Sequence, residues 1–399
     1  MSSQQSFHNK KLLVLLIDGF RWDYFERPNL ELPGFARLFK QGVKADYMIP
    51  DFPSLSFPNY YSIMAGRYVE DHGVVGNFMY DKEKQCSFEL NMRTDESNAS
   101  HWFEDVEPLW ISAVKQEKRT YMFDWPSGHI CNRGISSTFY HTMDSCNWPD
   151  ISKMDENLNK AFQLFKADKI DMAGVYLNSV DEWGHSYGPN SLKMDVIIRQ
   201  TDSAIARMLD KLSTESMEDK VNIIIFSDHG MTEVSESRTI DISDHIGSTD
   251  VEAVCDKGPI CCIWPKEGKL DKVYNGLKEM KQEHMSVYKK EGLPERWHYK
   301  NHKRVAPIVV VADIGWYILT PNGQHINHYL DGPAKGYHGY DNAEADMRGI
   351  FLAAGPAFKT NFKTGPIRAV DIYQVMCKAL GIEPLPHNGA WSTVQDIFI

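Results

Sequence analysis

The chain has 399 residues, 42% of them hydrophobic and 24% charged, the balance of a globular protein with a large core. Its formal net charge of −11 argues against nucleic acid as a main partner, because phosphate-backbone binding needs a basic surface. No apolar run approaches the ~20 residues of a membrane span, and the opening MSSQQSFHNKKLLVLLID is a poor signal peptide, its apolar run leading straight into Asp18.

In chain order, KKLLVLLIDGF (10–20) reads as a continuous apolar strand that ends in Asp18, and LPGFARLFKQG (32–42) carries a helical pattern. DFPSLSFPNYYSIMAG (51–66) follows, with Ser54 and Ser56 in an apolar setting; alone it reads as a turn. ISKMDENLNKAFQLFKAD (151–168) is helical in pattern, and DMAGVYLNSVDEWGH (171–185) leaves a strand and delivers Asp181 and His185. A long helical pattern spans 191–214, and VNIIIFSDHGM (221–231) is a third apolar run, closed by Asp228, His229 and Gly230. Residues 250–335 read as an α+β insertion, with a Lys/Glu-rich helix near 269–291 and a probable strand pair, VAPIVVVAD and GWYILT. RGIFLAAGP (348–356) is a fourth apolar run.

Runs that are apolar throughout predict central parallel strands, and their alternation with helices predicts an α/β fold with helices on both sheet faces. The chain is expected to form one domain, 1–399, with the insertion at roughly 250–335. Ligand sites in such sheets lie beyond the carboxyl ends of the strands, where these Asp and His residues fall.

Asp and His are oxygen and nitrogen donors suited to zinc. Asp181 and His185 stand four apart, Asp228 and His229 are adjacent, and Asp18 and His338 (in KGYHGYDN, 335–342) complete the set. One such pair is more often a helix cap than a metal site; four clusters after strand-like runs are harder to dismiss.

LIDGFRWDY, FPSLSFPNYYSIMAGRYVEDHGVVGNFMYD, DEWGHSYGP, SDHGM and HGYDN together resemble the ectonucleotide pyrophosphatase/phosphodiesterase family of the alkaline phosphatase superfamily. The resemblance runs from about residue 11 to the end. It implies an alkaline-phosphatase-like sandwich, two zinc ions per chain and a Thr or Ser nucleophile. Carried over by position, the nucleophile is Ser56, directly before Phe-Pro-Asn, with Ser54 a turn residue. One zinc would be held by Asp181, His185 and His338, the other by Asp18, Asp228, His229 and the oxygen of Ser56. Asn77 matches the position that hydrogen-bonds a phosphoryl oxygen. Zinc would favour the serine alkoxide, which attacks phosphorus and gives a phosphoseryl enzyme.

Within the family the likeness is greatest to the choline-specific glycerophosphodiesterase branch, which also has Ser as nucleophile, and Leu55 stands where nucleotide-cleaving members carry Lys. That implies release of phosphocholine from a small-molecule or lipid-derived choline phosphodiester, such as glycerophosphocholine, lysophosphatidylcholine or sphingosylphosphorylcholine. A trimethylammonium group is held by aromatic faces and a carboxylate. Phe57, Tyr60, Trp125 and Tyr176 lie in or near the motif segments, and Asp124 beside Trp125 offers the charge, although an aromatic is expected at its position. Tyr176 matches a Tyr of the choline branch.

The main rival is a nucleotide pyrophosphatase/phosphodiesterase releasing nucleoside 5′-monophosphates, with Phe57 and Tyr176 stacking a base. A sulfatase is rejected, because SLSFPNYY lacks the required Arg context. A retired enzyme serving as a binding module usually has lost ligands, and here every expected ligand is present. The family implies an extracellular or cell-surface place. Cys131 and Cys146 bracket a short segment and could pair in an oxidising compartment, and Asn98-Ala99-Ser100 is a glycosylation sequon.

Overall fold

In the strand Lys11–Ile17 every side chain is buried, and successive residues enter different cores. Leu12, Val14 and Leu16 join one apolar cluster while Leu13, Leu15 and Ile17 join another, because side chains alternate across a strand. This strand is therefore covered on both faces, which explains its unbroken apolar sequence. The computed structural model describes residues 10–90, 92, 94–142, 148–280, 283–320 and 333–399.

Lys11–Ile17 lies inside an eight-stranded sheet ordered Phe362–Thr364, Gly42–Ala45, Phe351–Ala354, Val221–Phe226, Lys11–Ile17, Met172–Leu177, Thr120–Phe123, Phe139–His141. The pairings of Lys11–Ile17 with Val221–Phe226 and Met172–Leu177 are parallel, as is the run through Thr120–Phe123 to Phe139–His141. Phe351–Ala354 departs from expectation, pairing antiparallel with both of its neighbours. Burial on both faces specifies an apolar run but not its direction, so parallel and antiparallel central strands look alike in sequence. Helices Pro33–Gln41, Ile151–Lys166 and Leu192–Thr214 cover one face, and Ser56–Ala65, Leu109–Lys115 and Ile372–Leu380 the other.

Residues 251–312 build a separate four-stranded antiparallel sheet, ordered Val251–Cys255, Ile260–Pro265, Ile308–Ala312, Met285–Lys289, with a third apolar cluster behind it. The expected helix near 269–291 stops at Glu279, and Met285–Lys289 is a strand. The expected strand pair does form two strands, but they do not pair with each other. Ile308–Ala312 lies between two strands of this four-stranded sheet, while Tyr317–Leu319 runs parallel to Thr239–Asp241. No described helix is long and apolar enough to cross a membrane. Cys131 forms no disulfide among the described residues, and its proposed partner Cys146 lies outside them.

Candidate active site

Beyond the carboxyl ends of the central strands is a cavity of about 360 Å³, lined in part by Asp18, Ser56, Tyr60, Asn77, Tyr176, Asp181, His185 and His338. Asp18 follows Lys11–Ile17 directly, and Asp228 and His229 follow Val221–Phe226 after one residue. Asp181 and His185 fall on the helix Ser179–Tyr187 that succeeds Met172–Leu177. Their spacing of one helical turn places them on the same face. His338 follows the short strand Gly336–Tyr337.

Ser56 is the first residue of helix Ser56–Ala65, every member of which is buried. Asn59 closes the turn before it. Its side chain accepts from the Asp51 N–H at 2.7 Å and donates to the carbonyls of Pro53 and Leu55 at 3.1 and 2.9 Å. Ser56 Oγ thus stands at a helix N-terminus, where the backbone dipole favours negative charge, 3.2 Å from His229 Nε2.

Two groups of three donors converge here, all buried, with the donor atoms of each group within 4.8 Å of one another: Asp181, His185 and His338, and Asp18, Asp228 and His229. The His229 and His338 rings stack with centroids 3.5 Å apart, so the groups adjoin. Each imidazole donates its Nδ1–H to a backbone carbonyl: His185 to Gly336 at 2.9 Å, His229 to Gly230 at 2.8 Å and His338 to Ser54 at 3.0 Å. A carbonyl can only accept, so in each case Nε2 is the nitrogen turned to the carboxylates, as in a metal-ligating histidine with its outer hydrogen bond in place. Those Nε2 atoms lie 3.4 Å (His185) and 3.6 Å (His338) from Asp181, and 3.1 Å (His229) from Asp228.

The carboxylates crowd one another. Burial, then Asp228 and Asp181, hold the Asp18 carboxyl well above its usual range. Burial alone would lower His229, but Asp228 and Asp18 outweigh it and push the imidazole up to about 10. Burial, with His229 and His185, holds His338 well below its ordinary value. Asp18 Oδ1 and Asp228 Oδ2 are buried and share one neighbouring donor, His229 Nε2, at 3.4 and 3.1 Å. Buried carboxylates that outnumber the groups able to neutralise them are costly unless a cation meets them, so the residues present fit divalent ions.

The substrate residues expected from sequence divide. Tyr60 and Tyr176 line the cavity, and both hydroxyls donate to Asp18 Oδ2, so each supports a carboxylate while offering its ring. Phe57 does not line it; the ring is 1% exposed and packs on Tyr60 and Phe88. Trp125 is likewise buried, against Trp110 and Phe226. Asp124 is also outside the cavity. It sits at φ 51 just past Thr120–Phe123, and that left-handed turn carries its carboxylate to His141 Nδ1 at 2.7 Å and Asn157 Nδ2 at 2.6 Å. The Asn98 side-chain amide of the sequon donates to the carbonyls of Met92 and Thr94.

Trp148 and Asp256 line the cavity and were not anticipated. Trp148 meets Tyr176 edge to face, centroids 6.2 Å apart. Asp256 directly follows the strand Val251–Cys255. Its Oδ1 accepts from the Phe78 N–H at 3.0 Å, the Asn77 N–H also bonds the carboxylate, and burial nonetheless raises its pKa to about 8. A Cβ on Gly76 would lie 2.1 Å from Asp256 Oδ2, so glycine is required for this approach. Asn77 Oδ1 accepts from the Phe57 N–H at 3.0 Å, tying Asn77 to the residue after Ser56. No spacing rule points to Asp256, because its partners lie about 180 residues earlier.

The family model for type I phosphodiesterase / nucleotide pyrophosphatase matches residues 12–341. Human ectonucleotide pyrophosphatase/phosphodiesterase family member 5 is 34% identical over 391 residues, covering 97% of this chain and 78% of the relative. A bis(5′-adenosyl)-triphosphatase of Xenopus laevis is 34% identical over 388 residues, covering 96% and 81%. The solved structure of murine family member 5, an inactive form in complex with AMP, superposes with a TM-score of 0.88 at 34% identity, covering 98% of this chain and 100% of that one. With its Asp and His clusters gathered beside a helix-terminal serine, the chain belongs to the type I phosphodiesterase / nucleotide pyrophosphatase family.

Proposed function

We propose that this chain is a zinc-dependent phosphodiesterase that cleaves choline-containing phosphodiesters at Ser56 and releases phosphocholine. The observation that carries the reaction is the position of Ser56 Oγ, at a helix N-terminus and 3.2 Å from His229 Nε2, beside two buried donor sets. Asp181, His185 and His338 would hold one zinc; Asp18, Asp228, His229 and Ser56 Oγ would hold the other. Bound zinc supplies charge neutralisation for phosphoryl oxygens and lowers the pKa of a coordinated hydroxyl or water.

The chain's own groups do the rest. Ser56 Oγ, its proton passed to solvent, attacks phosphorus in line; the P–O bond to the leaving alcohol breaks, the alcohol takes up a proton, and phosphocholine is left esterified to the serine. Water then cleaves the bond between the serine oxygen and phosphorus, which releases phosphocholine and restores the serine. Asn77, with its Oδ1 held by the Phe57 N–H, presents Nδ2 to a phosphoryl oxygen.

For the choline group, support comes from the corner formed by Trp148 and Tyr176 in the cavity wall, since ring faces attract a quaternary ammonium. Phe57, which base stacking would need, is packed in the core. A second reading, hydrolysis of nucleotide esters, is favoured by the AMP bound to the murine relative and the triphosphatase designation of another. The relatives' "ecto" designation supports a cell-surface or extracellular place.

The test is hydrolysis of p-nitrophenyl phosphorylcholine beside p-nitrophenyl thymidine monophosphate, for wild type and Ser56→Ala, with and without chelator. Preference for the choline ester, lost on mutation and chelation, is expected. Preference for the nucleotide ester with the same losses keeps Ser56 and the metals and overturns the choline assignment.

A further inference from the structure

Cys86, Glu96 and His101 bring a thiol, a carboxylate and an imidazole together outside the Ser56 cavity. Cys86 begins the strand Cys86–Glu89, Glu96 lies in the turn that follows, and His101 is in the 3-10 turn Ser100–Trp102. Cys86 Sγ is 3.8 Å from His101 Nε2, which is 3.4 Å from Glu96 Oε1, and all three donor atoms lie within 4.8 Å of one another. Tetrahedral zinc, with sulfur at ~2.3 Å and nitrogen or oxygen at ~2.1 Å, sets edges of ~3.6 Å between S and N and ~3.4 Å between N and O. Both observed separations fall close to those edges.

The alternative is an ordinary ion pair between His101 and Glu96, but the approach of Cys86 Sγ to the same imidazole nitrogen at 3.8 Å adds a third donor that such a pair does not need. Glu96 faces both the Cys86 thiol, with which it hydrogen-bonds, and His101 Nε2, with the Lys84 charge nearby. The nearby Arg304 guanidinium, which donates to the His101 carbonyl at 2.6 Å, is answered by Asp81 and Asp105 at 3.7 and 3.4 Å. Cys86, Glu96 and His101 thus set a thiol, a carboxylate and an imidazole at the edge lengths of one tetrahedral site.

We propose that Cys86, Glu96 and His101 form a further transition-metal site, suited to Zn2+, independent of any metal at Ser56. Binding releases the Cys86 thiol proton to solvent, and water fills the fourth position. Leu90, between the first two ligands in sequence, lines the Ser56 cavity, so the metal staples one wall of that cavity to the turn beside it.

The test is Co2+ loading of the metal-stripped full chain, followed by absorption spectroscopy. Thiolate-to-cobalt charge transfer in the near ultraviolet is expected, which the all-oxygen and nitrogen donors around Ser56 cannot give. Cys86→Ser is expected to lose that band and one metal equivalent per chain while keeping Ser56-dependent hydrolysis. A band absent from wild type, or undiminished in Cys86→Ser, overturns the proposal. Wild type alone gives a second readout: Zn2+ should slow alkylation of Cys86 by iodoacetamide at least ~10-fold, because coordination ties up the sulfur lone pair that attacks the reagent. An unchanged rate also overturns it.

Discussion

The Ser54 carbonyl accepts the Nδ1–H of His338 at 3.0 Å, while the Ser54 hydroxyl donates to the Tyr340 carbonyl at 3.0 Å. The serine two positions before Ser56 therefore holds the His338 segment through both its carbonyl and its hydroxyl. Ser54→Ala keeps the backbone carbonyl and loses one buried hydrogen bond. It should cost about 1 kcal/mol of stability and leave kcat within a few-fold, whereas Ser56→Ala should lower kcat by about a thousand-fold or more. Steady-state kinetics with thermal melting separates the two. Equal losses in both variants would mean that the roles are wrongly divided.

Removal of divalent metal should destabilise as well as inactivate. Asp18, Asp181 and Asp228 are buried together, and without a cation their charges repel one another, Asp228 and Asp181 both raising the Asp18 carboxyl. A site whose free metal stands at about a hundredfold over Kd contributes roughly 2.7 kcal/mol. Chelator should lower the melting temperature and abolish hydrolysis, and added Zn2+ should restore both. A melting curve unmoved by chelation would mean that the donor sets are satisfied without metal.

The donor sets were legible in the sequence because each donor follows its strand at a short, fixed distance. Asp18 ends one apolar run, Asp228 and His229 another, and the i, i+4 pair Asp181/His185 rides the next helix. Phe57, Trp125 and Asp124 lie outside the cavity wall for a common reason. Nearness to a motif along the chain does not say which way a side chain turns, and a single left-handed residue sends Asp124 to the helix Ile151–Lys166. Asp256 and Trp148 were illegible because only tertiary folding brings their segments to the cavity. The direction of Phe351–Ala354 was hidden too, since a strand buried on both faces has the same composition either way.

Asp51 makes a prediction about pH. Burial raises its carboxyl to about 7 despite the Ser62 hydroxyl, and Oδ2 has no hydrogen-bond donor among the described residues. An unfolded Asp titrates near ~3.9. Between these values the unfolded chain releases the proton that the folded chain retains, so rising pH favours unfolding. The contribution is complete below about pH 4 and is lost as pH rises through about 7. Asp51→Asn should therefore show a shallower fall in melting temperature between pH 5 and pH 8 than wild type. Parallel curves would show that the carboxyl is already ionised in the folded protein.

Asp256 should act on catalysis through Asn77. Its carboxylate takes the backbone N–H groups of Asn77 and Phe78, and Gly76 admits it to that position. Asp256→Ala leaves both donors unsatisfied in a buried turn and frees Asn77 to shift. Misplacement of a transition-state contact by about 1 Å can cost 10²-fold, so kcat should fall by roughly ten- to a hundredfold with KM changed only a few-fold. Asp256→Asn restores one acceptor and should recover part of the loss. The decisive comparison is Asp256→Ala placed on Asn77→Ala. If Asp256 works only by holding Asn77, the second substitution adds almost nothing to the first. Additive losses would instead mean that Asp256 contacts substrate itself, as its place in the cavity wall also permits.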